Sequence, residues 1–248
     1  MEYRGIDVSK YQGEINWDIA AEKVDFAIIR ISDTILKDEY GNIITDEYYH
    51  QNMKACRERN IPTGIYVYSR ALTKEDMQKE IDFILNNLQD EEGIAYDVTR
   101  PIYIDIEGEC EKALYTSEES RKNQVELIEM FCNAMEEAGY ASGVYINSKN
   151  LSQIEELLNV YSIWISGGNL AGYLYHKEQT IDDMYYAHSD EDEYFTSTYG
   201  INVIQPTSTG DAKSLGAESE YIDLDYADKE FFDALDRKFG VTKGRTMN

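Results

Sequence analysis

Short apolar runs alternate with stretches of helical period along most of this chain. Phe26-Ala27-Ile28-Ile29-Arg30-Ile31 reads as a buried strand. A polar turn around Asp38–Asn42 leads into a helix with Tyr49, Met53 and Cys56 on one face, which Asn60-Ile61-Pro62 ends. Gly64-Ile65-Tyr66-Val67-Tyr68 is the next strand. The helix after it carries Met77, Ile81, Ile84, Leu85 and Leu88 close to a 3.6-residue period, with Thr73 as N-cap and Glu75 and Asp76 in its first turn. The unit then repeats. Pro101–Glu107 is a strand, and Ser117 caps a helix that buries Val125, Ile128, Phe131, Cys132 and Met135 and closes at Gly139. Gly143–Asn147 is a strand, Leu151–Leu158 a short helix, and Tyr161–Ser166 a further strand. Strand–helix alternation of this kind predicts parallel βαβ units.

The rhythm breaks after Gly167-Gly168. Residues 169–200 read as an irregular acidic, tyrosine-rich insertion, and Asp190-Glu191-Asp192-Glu193 within it as a solvated loop in preference to a calcium site. Two strands without an intervening helix follow, Ile201–Gln205 and Tyr221–Asp225, and a last helix buries Phe231, Phe232, Leu235 and Phe239. Five βα units followed by β-only connections can close an α/β barrel as a single domain over residues 1–240, leaving 241–248 as a C-terminal tail. No strand leads into a glycine-rich phosphate loop.

Charge narrows the function. The 248 residues carry 23 Lys+Arg against 48 Asp+Glu, a net charge of −25. Nucleic-acid binding needs a basic footprint, and docking on an anionic membrane does too, so neither partner is expected. No apolar run reaches the ~18–20 residues of a membrane span. Three cysteines without paired spacing are no disulfide framework and read as small buried residues. Three histidines, none four apart, argue against a histidine-ligated metal or a Ser-His-Asp triad, and no metal or cofactor is expected. The N-terminus has neither the basic start nor the apolar core of a leader. No large exposed apolar stripe is evident, so a monomer is expected.

Carboxylates and 21 tyrosines are what the chain has in quantity. Three strand ends carry acids alternating with Ile, Val or Leu: Asp7; Asp105 and Glu107; Asp223 and Asp225. With a strand period of two, Tyr103, Asp105 and Glu107 share one face while Ile102, Ile104 and Ile106 face helices. Acids at the ends of barrel strands converge on one mouth. Ionised neighbours oppose one another's charge, so one carboxyl there is expected to stay protonated, as a glycosidase's proton donor must. Tyr11, Tyr66, Tyr68, Tyr103, Tyr145 and Trp164 are candidates for a wall that faces carbohydrate.

At this point the residues resemble a known family. Gly5-Ile6-Asp7-Val8-Ser9-Lys10-Tyr11-Gln12-Gly13 followed by Ile15-Asn16-Trp17 is similar to the opening of glycoside hydrolase family 25 lysozymes, the Chalaropsis type. Further similar pieces follow in order: Phe26–Arg30, Gly64–Ser69, Pro101–Glu107, Gly139-Tyr140, Gly143–Tyr145, Trp164-Ile165, Gln205 with Thr207–Gly210, and Ile222–Asp225. The ordered set spans most of residues 3–227. The resemblance implies a modified TIM-like (β/α)5(β)3 barrel. It implies a lysozyme (EC 3.2.1.17) acting on bacterial peptidoglycan glycan strands at the β-1,4 bond between N-acetylmuramic acid and N-acetylglucosamine. By motif position Glu107 would be the general acid/base, Asp105 its partner, and Asp7 and Asp223 the rest of an acidic floor. Gln205 and Asp225 join the substrate-binding candidates. Such an enzyme works outside the cell or in the cell wall, which this chain would reach by a route other than a leader or in trimmed form. An enzyme carboxylate and the substrate's own acetamido oxygen both stay open as nucleophile.

The chain departs from the family pattern on loops. Ile204-Gln205-Pro206 stands where Trp-Gln-Tyr is usual, Ser32-Asp33-Thr34 where Ala-Thr-Glu-Gly is frequent, and Ser166–Asn169 where Ala-x-Tyr is expected. These changes raise a rival reading, a lysozyme-like domain that binds glycan or protein without cutting it. All four acids are nevertheless in place. A chitinase reading would need aspartates where Tyr103 and Arg100 stand.

Overall fold

The computed structural model describes residues 3–39, 41–166 and 200–240. Eight strands close a barrel in sequence order: β1 (Tyr3–Val8), β2 (Phe26–Asp33), β3 (Thr63–Tyr68), β4 (Val98–Ile106), β5 (Ser142–Asn147), β6 (Ser162–Ser166), β7 (Ile201–Asp211) and β8 (Tyr221–Ala227). Neighbours from β1 to β7 pair in parallel, and β8 closes the ring antiparallel to both β7 and β1. This is the (β/α)5(β)3 arrangement expected from the sequence. The helices are α1 (Trp17–Ala20), α2 (Tyr49–Glu58), α3 (Lys74–Asn86), α4 (Gly108–Thr116), α5 (Glu118–Glu137) and α6 (Lys229–Phe239). None of them is long and apolar enough to cross a membrane. Of the predicted insertion at 169–200, residues 169–199 with the acidic loop lie outside the described residues, as does the tail at 241–248.

The period of two decides what each strand side touches. Ile102, Ile104 and Ile106 join the layer between barrel and helices, as do Ile29, Ile31, Ile65 and Val67. The opposite face of β4 puts Tyr103 inside the barrel with Phe26, Ile28, Tyr145, Trp164 and Val203. Gly143 sits beside Tyr103 on β5, and a Cβ there would lie 2.5 Å from the Tyr103 ring and 2.5 Å from the Ser162 carbonyl oxygen. A buried ring and a backbone carbonyl cannot both retreat. Gly143→Ala is therefore expected to lower unfolding stability by about 1–3 kcal/mol, measured by urea titration.

The helix caps agree with the expected ones: Thr73 Oγ1 accepts the Asp76 N–H at 3.2 Å, and Ser117 Oγ accepts the Ser120 N–H at 3.1 Å. Two elements differ from expectation. In place of the helix expected over 151–158 stand two 3-10 stretches, Ser148–Gln153 and Glu155–Leu157. Helix α4 carries no strong period, since only Cys110 and Leu114 are buried on it. All three cysteines are free and buried.

Helix α6 plugs the bottom of the barrel. Phe232 meets Phe26 edge-on at 4.9 Å between ring centroids. Beside it, Arg100 Nη2 lies 2.7 Å from Asp236 Oδ1, with both side chains almost wholly buried. Among the described residues the lower end is thus sealed, and the cleft opens at the upper end.

Candidate active site

Inward-facing positions near the upper ends of the strands meet at that opening. Asp7 comes from β1, Arg30 from β2, Tyr66 and Tyr68 from β3, Asp105 from β4, Tyr145 from β5, Trp164 and Ser166 from β6, and Gln205 from β7. Strand β8 runs the other way, so its first half reaches the same mouth, and Asp223 pairs directly with Asp7. Together with Glu107, just past β4, these residues line a cleft of about 830 Å3.

Glu107 is the N-cap residue just before α4, in extended backbone, yet its side chain makes no capping bond. Gly108 follows at φ +53°, and a Cβ there would stand 2.9 Å from the Tyr68 hydroxyl. This left-handed turn lets the chain swing from β4 into α4 and leaves the half-buried Glu107 carboxyl in the cleft.

The floor is a connected polar chain. Tyr145 Oη donates to Gln205 Oε1 at 2.9 Å, and Gln205 Nε2 donates to Asp7 Oδ2 at 2.7 Å. One layer lower, Trp164 Nε1 donates to Asp225 Oδ1 at 2.8 Å. Among the described residues, Asp105 Oδ1 is buried without a hydrogen-bond partner.

Desolvation dominates the electrostatics. Burial, then the neighbouring Glu107 and Asp7, push the Asp105 carboxyl well above the usual carboxylate range, with Arg30 opposing. Asp7 is held high by burial and by Asp225, and Asp223 by burial and Asp7. Asp225 is pushed up to about 8, first by burial. Burial and Glu111 raise Glu107 too, with Lys149 opposing. Arg30 on the floor is engaged: its Nε donates to Asp46 Oδ2 at 2.8 Å, and its guanidinium lies 5.1 Å from the Tyr11 ring centroid.

These shifts set a stability trend. Carboxyls whose folded-state pKa is raised keep their protons in the folded chain after the unfolded chain has released them. The folded state therefore binds more protons between the ordinary carboxylate value near 4 and about 8, and stability falls as pH rises through that window. Surface acids such as Asp76, bonded by Thr73 and then Lys79, and Asp90, bonded by Arg57, are shifted down and act below it. The midpoint of thermal unfolding is expected to drop between pH 5 and 8, in contrast to the flat profile of a domain whose carboxylates are all solvated.

Ten of the twelve residues singled out from the sequence line the cleft: Asp7, Tyr11, Tyr66, Tyr68, Asp105, Glu107, Tyr145, Trp164, Gln205 and Asp223. Tyr11 stands at the lip, 69 % exposed. Tyr103 and Asp225 do not line it, which corrects their reading as substrate-binding. Both sit one layer too deep on their strands, fully buried, Tyr103 with its hydroxyl 3.0 Å from Ser162 Oγ. Arg30, Asp33 and Arg70 line the cleft without having been anticipated. Arg30 left a signal, because a charge inside Phe26–Ile31 on the parity of Phe26 and Ile28 points into the barrel. Among the described residues no His, Cys, Asp or Glu group is arranged to hold a metal ion.

The model of a family described as glycosyl hydrolases family 25 matches residues 6–198. No curated protein matches the chain. Among solved structures, the catalytic domain of the endolysin ply40 from a Listeria monocytogenes bacteriophage is similar, with a TM-score of 0.66 at 18 % identity over 95 % of this chain and 97 % of that one. GHIP, a glycosyl hydrolase 25 of Streptococcus pneumoniae described as a virulence factor in host cell invasion, gives 0.64 at 19 % over 96 % and 92 %. The modular autolysin LytC of Streptococcus pneumoniae, in complex with a synthetic peptidoglycan ligand, gives 0.59 at 17 % over 91 % and 46 %. At these identities the likeness is one of fold.

Proposed function

Because the chain belongs to glycosyl hydrolases family 25, we propose that this glycoside hydrolase acts on bacterial peptidoglycan, cleaving the β-1,4 bond between N-acetylmuramic acid and N-acetylglucosamine. The observation that carries the reading is the pairing of a half-buried Glu107, raised above the usual carboxylate range, with a floor of three further acids in an aromatic-walled cleft. Peptidoglycan as substrate is supported by the family and by the ligand of the fold-similar LytC. The site of action is the cell wall, outside the cell that bears it.

Glu107 faces the open cleft, and burial raises its carboxyl above the usual glutamate range, so in its protonated form it protonates the departing glycosidic oxygen. Its conjugate base then takes a proton from the water that completes hydrolysis. Asp105, one strand step below on the same face, lines the cleft beneath the bound sugar. Once ionised, Asp105 stabilises positive charge developing at the anomeric carbon. It also accepts the acetamido N–H when that group's oxygen is the nucleophile. Asp7 and Asp223 complete the negative floor, and Tyr11 supplies an exposed ring for a sugar face.

The sign of the pH dependence follows from the direction of the Glu107 shift. The acid is competent while protonated, so kcat/KM on solubilised glycan strands is expected to fall as pH rises through a value above the ordinary glutamate range near 4.3. An alkaline limb centred at or below that ordinary value would remove Glu107 from the role. Unchanged turbidity of walls from several sources between pH 4 and 8 would favour a domain that binds without cutting.

A further inference from the structure

We propose that Asp225 is a positioning residue: beneath the cleft floor it shares a single proton with Asp7, and this shared proton fixes the orientation of the Asp7 carboxyl toward the substrate. The argument is a count of donors and acceptors. Gln205 Nε2 can only donate, and it occupies Asp7 Oδ2 at 2.7 Å. Its orientation is set in turn, because its Oε1 takes the Tyr145 hydroxyl at 2.9 Å. Trp164 Nε1 can only donate as well, and it occupies Asp225 Oδ1 at 2.8 Å.

That leaves Asp225 Oδ2 for Asp7, and the two carboxyl groups lie within hydrogen-bond reach of each other. Asp225 Oδ2 is fully buried and has no donor among the described residues. The register puts the two side by side: Asp225 pairs with Gly5 and Asp223 with Asp7 across β1 and β8, so Asp225 stands one inward layer below Asp7. Gly5 has no side chain to come between them. Two ionised oxygens facing each other in this dry space would repel, whereas one proton between them makes a hydrogen bond.

Every other charged or titratable group nearby leaves this solution in place. Arg30 on β2 is committed to Asp46. Tyr66 on β3 and Tyr145 on β5 are held neutral by burial. Asp105 on β4 is a further acid, Glu107 just past β4 raises Asp7, and Asp223 on β8 raises Asp225, which favours keeping the proton. Below, Tyr103 is bonded to Ser162, and Arg100 is paired with Asp236. The raised values of Asp7 and Asp225 agree with the geometry.

The proposal builds on the hydrolase reading for its kinetic arm alone. The first arm needs no activity: carbon-13 carboxyl NMR titration of wild type and Asp225→Asn. In wild type the Asp7 and Asp225 resonances are expected to move together, with the last proton leaving well above the ordinary carboxylate range. Asparagine keeps the shape, accepts from Trp164 and donates permanently to Asp7, so in that variant the Asp7 midpoint should fall by about two units or more. Wild-type resonances that finish titrating independently below about pH 5, in the range of solvated carboxyls, would overturn the shared proton, as would an unmoved Asp7 midpoint in the variant.

The second arm compares Asp225→Ala with Asp225→Asn. Alanine should lower kcat on glycan strands by about 10-fold or more with little change in KM, and asparagine should restore most of it. Equal losses in both variants would mean that the hydrogen bond to Asp7 does not matter. If wild type releases no sugar ends, the hydrolase reading fails, and the NMR arm still decides the proton.

Discussion

Glu107→Gln is expected to lower kcat on peptidoglycan by about 10²–10⁴-fold, the contribution of a positioned general acid, with the fold and glycan binding retained. Glutamine matches the shape of glutamate but has no proton to give to a leaving oxygen. The change is also structurally cheap: the Glu107 side chain makes no capping bond to α4, and removing its charge relieves repulsion on Asp105. Circular dichroism and binding to insoluble walls are therefore expected to match wild type while reducing-end release disappears. Undiminished turnover would show that the proton comes from elsewhere on the floor.

The second large effect lies at the far end of the barrel, where no ligand reaches. Asp236→Ala leaves the Arg100 guanidinium, 1 % exposed, without its carboxylate partner and packed over the Phe232 ring at 4.5 Å. Stranding a buried charge in this way costs about 3–5 kcal/mol, a large share of the roughly 5–15 kcal/mol that holds a domain together. Equilibrium unfolding in urea measures it. The double replacement Arg100→Met with Asp236→Leu is expected to recover most of the loss, because it removes both charges. A loss below ~1 kcal/mol for Asp236→Ala, the scale of an exposed pair, would mean that water reaches the pair and that α6 does not seal the barrel. Activity per folded molecule should be little changed, because the cleft lies at the opposite end.

The strands were legible because each carries a short apolar run whose period of two survives in the fold. Ile102, Ile104 and Ile106 face the helices, and Asp105 faces the barrel, as the alternation requires. Helices α3 and α5 were legible because cap and period agree at Thr73 and Ser117. Helix α4 was not: two buried residues one turn apart give no detectable period, and it is held by packing on α5 and the β3–α3 turn.

The acids of the site could be read from strand parity, but their depth could not. Parity says which face a residue occupies and nothing of the layer it reaches, which is set by strand register around the ring. Tyr103 and Asp225 share a face with Asp105 and Asp223 and lie one residue pair lower, out of the cleft. The partnership of Arg30 with Asp46 was equally hidden, because it joins a strand to the loop before α2.

The most direct test is a product analysis. Purified peptidoglycan is incubated with the protein, the new ends are reduced with borohydride, and the reduced sugar is identified by mass spectrometry. Cleavage at the proposed bond yields muramitol, formed by wild type and absent with Glu107→Gln. Glucosaminitol at the new ends, or no new ends from any wall source, would contradict it.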